Sequence, residues 1–214
     1  MSVYDKMYQK RGFSNTQLLI LSKVNSNSTV LELGPATGYM TRVLREEKDC
    51  TIDAVELDKV AGQSAAPYCR RLLYGSIEDT ELIQQLVGPF DYIIAADVLE
   101  HLRNPEKTLH LLHPLLNQEG RLIISLPNIA YWKIRLQLLS GHFDYTDSGI
   151  MDRTHYRFFT RDTAAKMIES AGFKVLEILS AEPDRPGFGG LKSGIKRKFS
   201  TLFSGNFVFI AKQD

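Results

Sequence analysis

Short apolar runs alternate along the chain with stretches of helical spacing. Thr29–Val30–Leu31 leads into the acid Glu32, and Tyr39–Glu47 follows with helical character. Cys50–Val55, Arg71–Tyr74, Phe90–Ala96 and Gly120–Ser125 are further runs of this kind, short and apolar enough to be strands of a buried parallel sheet. Helices are expected at Thr16–Val24, Thr80–Leu86 and Pro105–Leu116. The last carries Pro105 in its first turn and a Leu109, Leu112, Leu116 stripe. Asp58 reads as an N-cap for a helix after the second strand. Strands and helices in strict alternation predict an α/β fold with right-handed crossovers.

The alternation breaks at Leu126–Phe159. Pro127–Asn128 closes the fifth strand, with Asn128 expected as a helix cap. Ile129–Ser140 is expected to be helical, with Ile129, Trp132, Leu136 and Leu139 on one face. Tyr131, Ile134 and Leu138 widen the apolar surface, so this helix should be sandwiched rather than solvated. Gly141–Thr160, GHFDYTDSGIMDRTHYRFFT, is dense in Asp, Arg, His and aromatic residues. Long ordered loops above a sheet's carboxyl edge usually serve binding or closure. Arg161–Ala171 is then a helix, and Phe173–Ser180 and Phe207–Ala211 are the last strands. Glu182–Ser204, with Lys192, Lys196, Arg197 and Lys198, reads as a loop or second flap.

A length of 214 residues suits one domain, with 1–28 as a leader and 127–159 as a lid insert. A net charge of +1 exerts no long-range pull on nucleic acid. No apolar run approaches the ~20 residues of a membrane span, and no signal-peptide pattern opens the chain. Cys50 and Cys69 fit neither a zinc spacing nor a disulfide framework. A cytoplasmic protein is expected.

The chemistry centres on Leu31–Tyr39, LELGPATGY. Gly34 and Gly38 allow a sharp turn and close approach of a ligand, and the helix start after them is a partly positive lip. A dinucleotide site wants G-x-G-x-x-G with an acid about 20 residues on. Here the spacing is G-x-x-x-G, Pro35 removes an N–H, and Glu32 would repel phosphate. A cationic, zwitterionic ligand suits this loop better. Glu56, at the tip of the second strand, sits beside the ligand crevice of a doubly wound sheet, where a carboxylate can accept from two ribose hydroxyls.

These residues resemble the first motif, E/D-x-G-x-x-x-G, of the class I S-adenosylmethionine (SAM)-dependent methyltransferases, with Pro35–Ala36 in place of the Cys-Gly pair often seen there. FDYIIAADVLEHLRNPEKTL, from Phe90, is similar to the fourth motif of members acting on small molecules and glycans. Gly141–Thr160 is similar to a segment of a bacterial subgroup associated with cell-surface polysaccharide assembly. The resemblance implies a Rossmann-like seven-stranded sheet of order 3-2-1-4-5-7-6 with the last strand antiparallel. It implies SAM held by Glu32, Gly34, Pro35, Ala36, Gly38, Glu56, Leu57, Ser76, Ile77, Asp97 and Val98. Ser76 stands where the family carries an acid for the adenine amino group. His101 and His155 are the candidate bases for a hydroxyl acceptor, with Asp97 a weaker one; His101 also reads as a structural histidine bonded to backbone. Asn128, Trp132, Tyr145, Arg153 and Tyr156 are expected on the acceptor side, where aromatics stack on pyranose faces and polar groups bind hydroxyls. The charged residues of the insert could equally form a network that holds the lid shut.

The expected partner is a small-molecule or glycan acceptor, with no nucleic acid, no integral membrane segment and a homodimer left open. No metal-binding constellation stands out. Two other functions compete: a regulatory module that binds SAM or S-adenosylhomocysteine (SAH) without turnover, and a nicotinamide-dependent sugar oxidoreductase. The glycine spacing and the missing Tyr-x-x-x-Lys pair argue against the second.

Overall fold

The computed structural model describes residues 12–181 and 200–214. Seven strands form one sheet: β1 Thr29–Leu33, β2 Thr51–Glu56, β3 Arg71–Tyr74, β4 Phe90–Ala96, β5 Leu116–Pro127, β6 Phe173–Ala181 and β7 Asn206–Gln213. Their order is β3-β2-β1-β4-β5-β7-β6. β1 pairs parallel with β2 and β4, β2 with β3, and β4 with β5. β7 runs antiparallel between β5 and β6. This is the doubly wound, Rossmann-like arrangement expected from the sequence.

The central strands are largely apolar because helices cover both of their faces, with Glu32, Asp53 and Glu56 as buried acids among them. One core, around Leu33, Ile93, Ile124, Leu109 and Phe209, lies under α5 Pro105–Leu112 and α7 Arg161–Ser170. The other, around Ile20, Val30, Leu44, Ile94 and Ile123, lies under α1 Asn15–Lys23 and α2 Tyr39–Glu46. Ser14 starts α1 with a capping box completed by Gln17, and Asp58 caps α3 Lys59–Ala65 by accepting from the N–H groups of Val60 and Ala61.

Four expectations change. The helix expected over Pro105–Leu116 ends at Leu112, and Leu116 opens β5. The helix expected over Thr80–Leu86 is the single turn α4, Thr80–Ile83. The helix after β5 is α6, Trp132–Leu139, and among its apolar residues only Ile134 is buried. Leu136, Leu138 and Leu139 are exposed, Leu139 by 85%, so the helix stands out from the domain instead of being sandwiched. Asn128 does not cap it. Its side-chain amide donates to the carbonyls of Thr201 and Ser204, at 2.7 and 2.8 Å, and its oxygen accepts from Ala130 N–H. The side chain ties the end of β5 to the turn before β7. The basic group at Lys192–Lys198 lies outside the described residues.

The loop after β1 shows why glycine is needed there. Gly38 has φ +79°, and a Cβ on it would come within 2.6 Å of the Ala65 Cα on α3. Left-handed geometry costs a non-glycine residue about 1–2 kcal/mol, and the clash adds to it. Gly38→Ala should therefore lower unfolding stability in urea by ~2 kcal/mol or more; a change within ~0.5 kcal/mol, the scatter of neutral surface substitutions, would show that α3 yields freely.

Candidate functional site

The site builds from the carboxyl ends of β1, β2 and β4. Gly34, Ala36 and Gly38 all have positive φ, at 65°, 51° and 79°, and turn the chain sharply between β1 and α2. Val98 closes one side: a Cβ on Gly34 would sit 3.0 Å from its Cγ2. Glu56, 7% exposed, closes the other. One of its carboxylate oxygens accepts from Ala36 N–H and the other from Asp58 N–H, each at 2.8 Å. These two N–H groups fix the carboxylate's position and leave each oxygen a further lone pair. Leu57, next in the chain, is exposed. Pro35 contributes no N–H to the loop. Ser76, whose side chain accepts from Glu78 N–H, and Ile77, buried against the core, lie after β3.

Glu32 sits beneath the loop, 1% exposed, and accepts from the Thr41 hydroxyl at 2.7 Å. Burial pushes its carboxyl up to about 7; the Thr41 bond opposes this and the Glu56 charge adds to it. The folded chain thus holds this proton more firmly than the unfolded chain. The resulting stabilisation is complete below the ordinary value of 4.5 and is lost as pH rises through about 7. At ~1.4 kcal/mol per pKa unit, the loss is about 3 kcal/mol. Urea unfolding between pH 5 and 8 should show the decline in the wild type and a flatter profile in Glu32→Gln; parallel profiles would contradict the assignment.

Beyond β4 the backbone turns abruptly. Asp97 has φ +54°, strained geometry for a residue with a side chain. Its Oδ1 accepts from the Ser125 hydroxyl at 2.7 Å and from the Asn206 amide at 3.0 Å, so β5 and β7 hold it at the sheet's edge. A single 3₁₀ turn, Leu99–His101, follows and directs Glu100 inward. Glu100 is 1% exposed, and neither carboxylate oxygen has a hydrogen-bond partner among the described residues. Burial, with the neighbouring Asp97 charge next, raises its carboxyl well above the usual range.

The insert returns over this turn. Tyr156 and Arg157 N–H both donate to the Glu100 carbonyl, at 2.9 and 3.1 Å. The Arg157 guanidinium donates to the Arg103 carbonyl. The His101 and His155 rings meet edge to face, 4.7 Å between centroids. His101 Nδ1 lies 3.1 Å from the Thr154 hydroxyl, which donates to Asp152 at 2.7 Å. His155 Nδ1 lies 3.2 Å from the Ile150 carbonyl. Burial, and then the charge of His101, lowers the His155 pKa and favours the neutral ring. Burial would raise Asp152, but bonds from the Thr154 hydroxyl and N–H outweigh it and the net shift is downward.

Outside this pair lies an aromatic group. Phe158 is 6.1 Å from His155, and Phe143 and Tyr145 lie 5.9 and 6.4 Å from Phe158. Tyr145 is half exposed. Arg153 pairs with Asp147 at 2.7 Å on the surface, and Tyr156 lies under Arg103. Trp132 is partly buried at the start of α6, beside Tyr131 and Lys133. Asn128 is only 1% exposed with its amide fully occupied, so it shapes this end of β5 and presents no group to an acceptor.

Sequence reasoning passed over Glu100, Thr154, Ser125 and Asn206. Glu100 adjoins His101 in the D-V-L-E-H-L motif, a signal that could have flagged it. The other three reach the site through long-range contacts that no local pattern reveals.

This edge thus brings together a glycine turn, a buried acid at the tip of β2 and an insert folded back over the turn after β4. A sequence model of the methyltransferase domain family matches residues 4–178, and the chain belongs to that family. The malonyl-[acyl-carrier protein] O-methyltransferase of Geobacter sulfurreducens is 23% identical over 188 residues, covering 84% of this chain and 70% of that protein. A TehB-like SAM-dependent methyltransferase from Corynebacterium glutamicum has the same fold, with a TM-score of 0.64 and 15% identity over 99% of this chain and 96% of the other. A SAM-dependent methyltransferase from Archaeoglobus fulgidus gives a TM-score of 0.65 at 16% identity, over 99% and 100% of the two chains. Among the described residues, no helix is long and apolar enough to cross a membrane.

Proposed function

We propose that this chain transfers the methyl group of SAM to a hydroxyl of a small polar acceptor, of the sugar or glycan-precursor type. The observation that carries this reading is the meeting of His101 and His155, from distant parts of the chain, near Asp97 at the carboxyl end of β4. SAM supplies a methyl group on a sulfonium, already activated for displacement. The chain's own task is to bind the donor, align the acceptor oxygen with it and deal with the hydroxyl proton. Alignment of two reactants supplies about 7–11 kcal/mol of the barrier.

In this reading Glu56 accepts from the ribose hydroxyls, the loop at 34–38 encloses the amino-acid end of the donor, and Asp97 and Val98 line the way to the acceptor. Glu32 supports the loop from beneath. Leu57, Ser76 and Ile77 border the adenine. Tyr145, Tyr156 and Trp132 offer faces for a ring, and Arg153 offers a polar edge. His101 and His155 activate the hydroxyl. The oxygen acceptor is in keeping with the O-methyl transfer named for the Geobacter relative, and the sugar class rests on the similarity of Gly141–Thr160 to polysaccharide-associated enzymes.

The test is transfer of a radiolabelled methyl group from SAM to a panel of sugar nucleotides, quinols and lipid precursors. Label in an alkali-stable ether of a sugar is the expected result. Tight SAM binding with no transfer to any of them would favour a regulatory module, the reading motivated by Pro35–Ala36 and Ser76.

A further inference from the structure

Glu100, His101 and His155 each offer a ligand atom, and these atoms lie within 4.8 Å of one another. Glu100 is a carboxylate buried from solvent with both oxygens unpartnered among the described residues, and burying such a group costs heavily unless something meets it. Each imidazole is already oriented through Nδ1. The Ile150 carbonyl can only accept, so His155 Nδ1 carries the hydrogen. The Thr154 hydroxyl spends its own hydrogen on Asp152, so His101 Nδ1 carries one too. That leaves the lone pair of both rings on Nε2. A histidine whose far nitrogen donates to a carbonyl, or to a hydroxyl backed by a carboxylate, is the usual outer arrangement of a metal-binding imidazole.

We propose that Glu100, His101 and His155 form a binding site for a divalent first-row transition-metal ion. Two imidazoles and one carboxylate select such an ion over Mg²⁺ and Ca²⁺, which take oxygen ligands. Three protein ligands leave coordination positions open, and these fit an acceptor with adjacent oxygens, as in a vicinal diol. The site's place in the reaction rests on the function proposed above; ion binding itself does not. A hydroxyl coordinated there loses its proton to water more readily. Its oxygen lone pair then forms the bond to the methyl carbon as the carbon–sulfur bond breaks, and the electron pair leaves on a neutral thioether. His101 and His155 act in this step through the ion.

The experiment is titration of the metal-stripped full chain with Co²⁺, followed by visible absorption and by the NMR signals of its histidine rings. One Co²⁺ per chain is expected, displaced by Zn²⁺ and unaffected by millimolar Mg²⁺. Of the five histidines, His101 and His155 should shift or broaden first, ahead of His110, His113 and His142. Thr154→Val should weaken Co²⁺ binding about 10–100-fold, and Glu100→Gln by more. Absence of Co²⁺ uptake, equal broadening of all five rings, or displacement by Mg²⁺ as readily as by Zn²⁺ would overturn the proposal. SAH binding to the stripped chain, measured by calorimetry, should be unchanged. Its loss while Co²⁺ still binds would count against the donor site alone.

Discussion

Glu56→Ala should weaken SAH binding by about 100-fold. The carboxylate accepts from Ala36 and Asp58 N–H and has lone pairs left for two hydroxyls. Each hydrogen bond to a charged group contributes about 1.5–3 kcal/mol, so losing two gives ~3 kcal/mol or more. The substitution also leaves Ala36 N–H without its acceptor at the point where the chain already has φ +51°. The loop's order therefore falls together with the ribose contact. Glu56→Gln separates the two effects, since its amide oxygen can replace only one of the carboxylate's acceptors. Calorimetric titration of the three proteins should give the order wild type, Gln, Ala. Wild-type affinity in Glu56→Ala would remove the ribose assignment.

The second large effect concerns turnover. His101→Ala and His155→Ala should each reduce kcat by about 10²–10⁴-fold, the range associated with activation of a proton-bearing group. SAH affinity should stay within about two-fold, because neither ring belongs to the loop that holds the donor. Single-turnover kinetics with saturating SAM separate the two quantities. A drop in donor affinity equal to the drop in rate would make the pair a support for the crevice, with no part in the chemistry.

Much of this architecture could be read from the sequence, for a physical reason. Strands covered on both faces must be predominantly apolar, so Cys50–Val55 and Phe90–Ala96 announce themselves despite Asp53 and Asp91. Gly38 is legible because a left-handed residue against Ala65 has no substitute. Asp58 is legible because N-capping is a local interaction.

The readings that failed depend on partners far along the chain. Leu136, Leu138 and Leu139 suggest a buried helix, yet burial is decided by what stands opposite, and here little does. Asn128 sits at a position suited to a cap, but the turn at 201–204 takes its amide. No metal constellation stands out along the sequence because Glu100, His101 and His155, the residues of the proposed ion site, come within reach of one another only where the insert folds back and its N–H groups at 156 and 157 grip the Glu100 carbonyl. Spacing along the chain carries no trace of that return.

The most direct measurement is a crystal structure of the chain soaked with SAH. The ribose hydroxyls should lie on Glu56, the amino-acid end should sit against the turn at 34–38, and the sulfur should face Asp97 and the His101–His155 pair. An empty crevice at saturating SAH, or the ligand bound at another surface, would contradict the account.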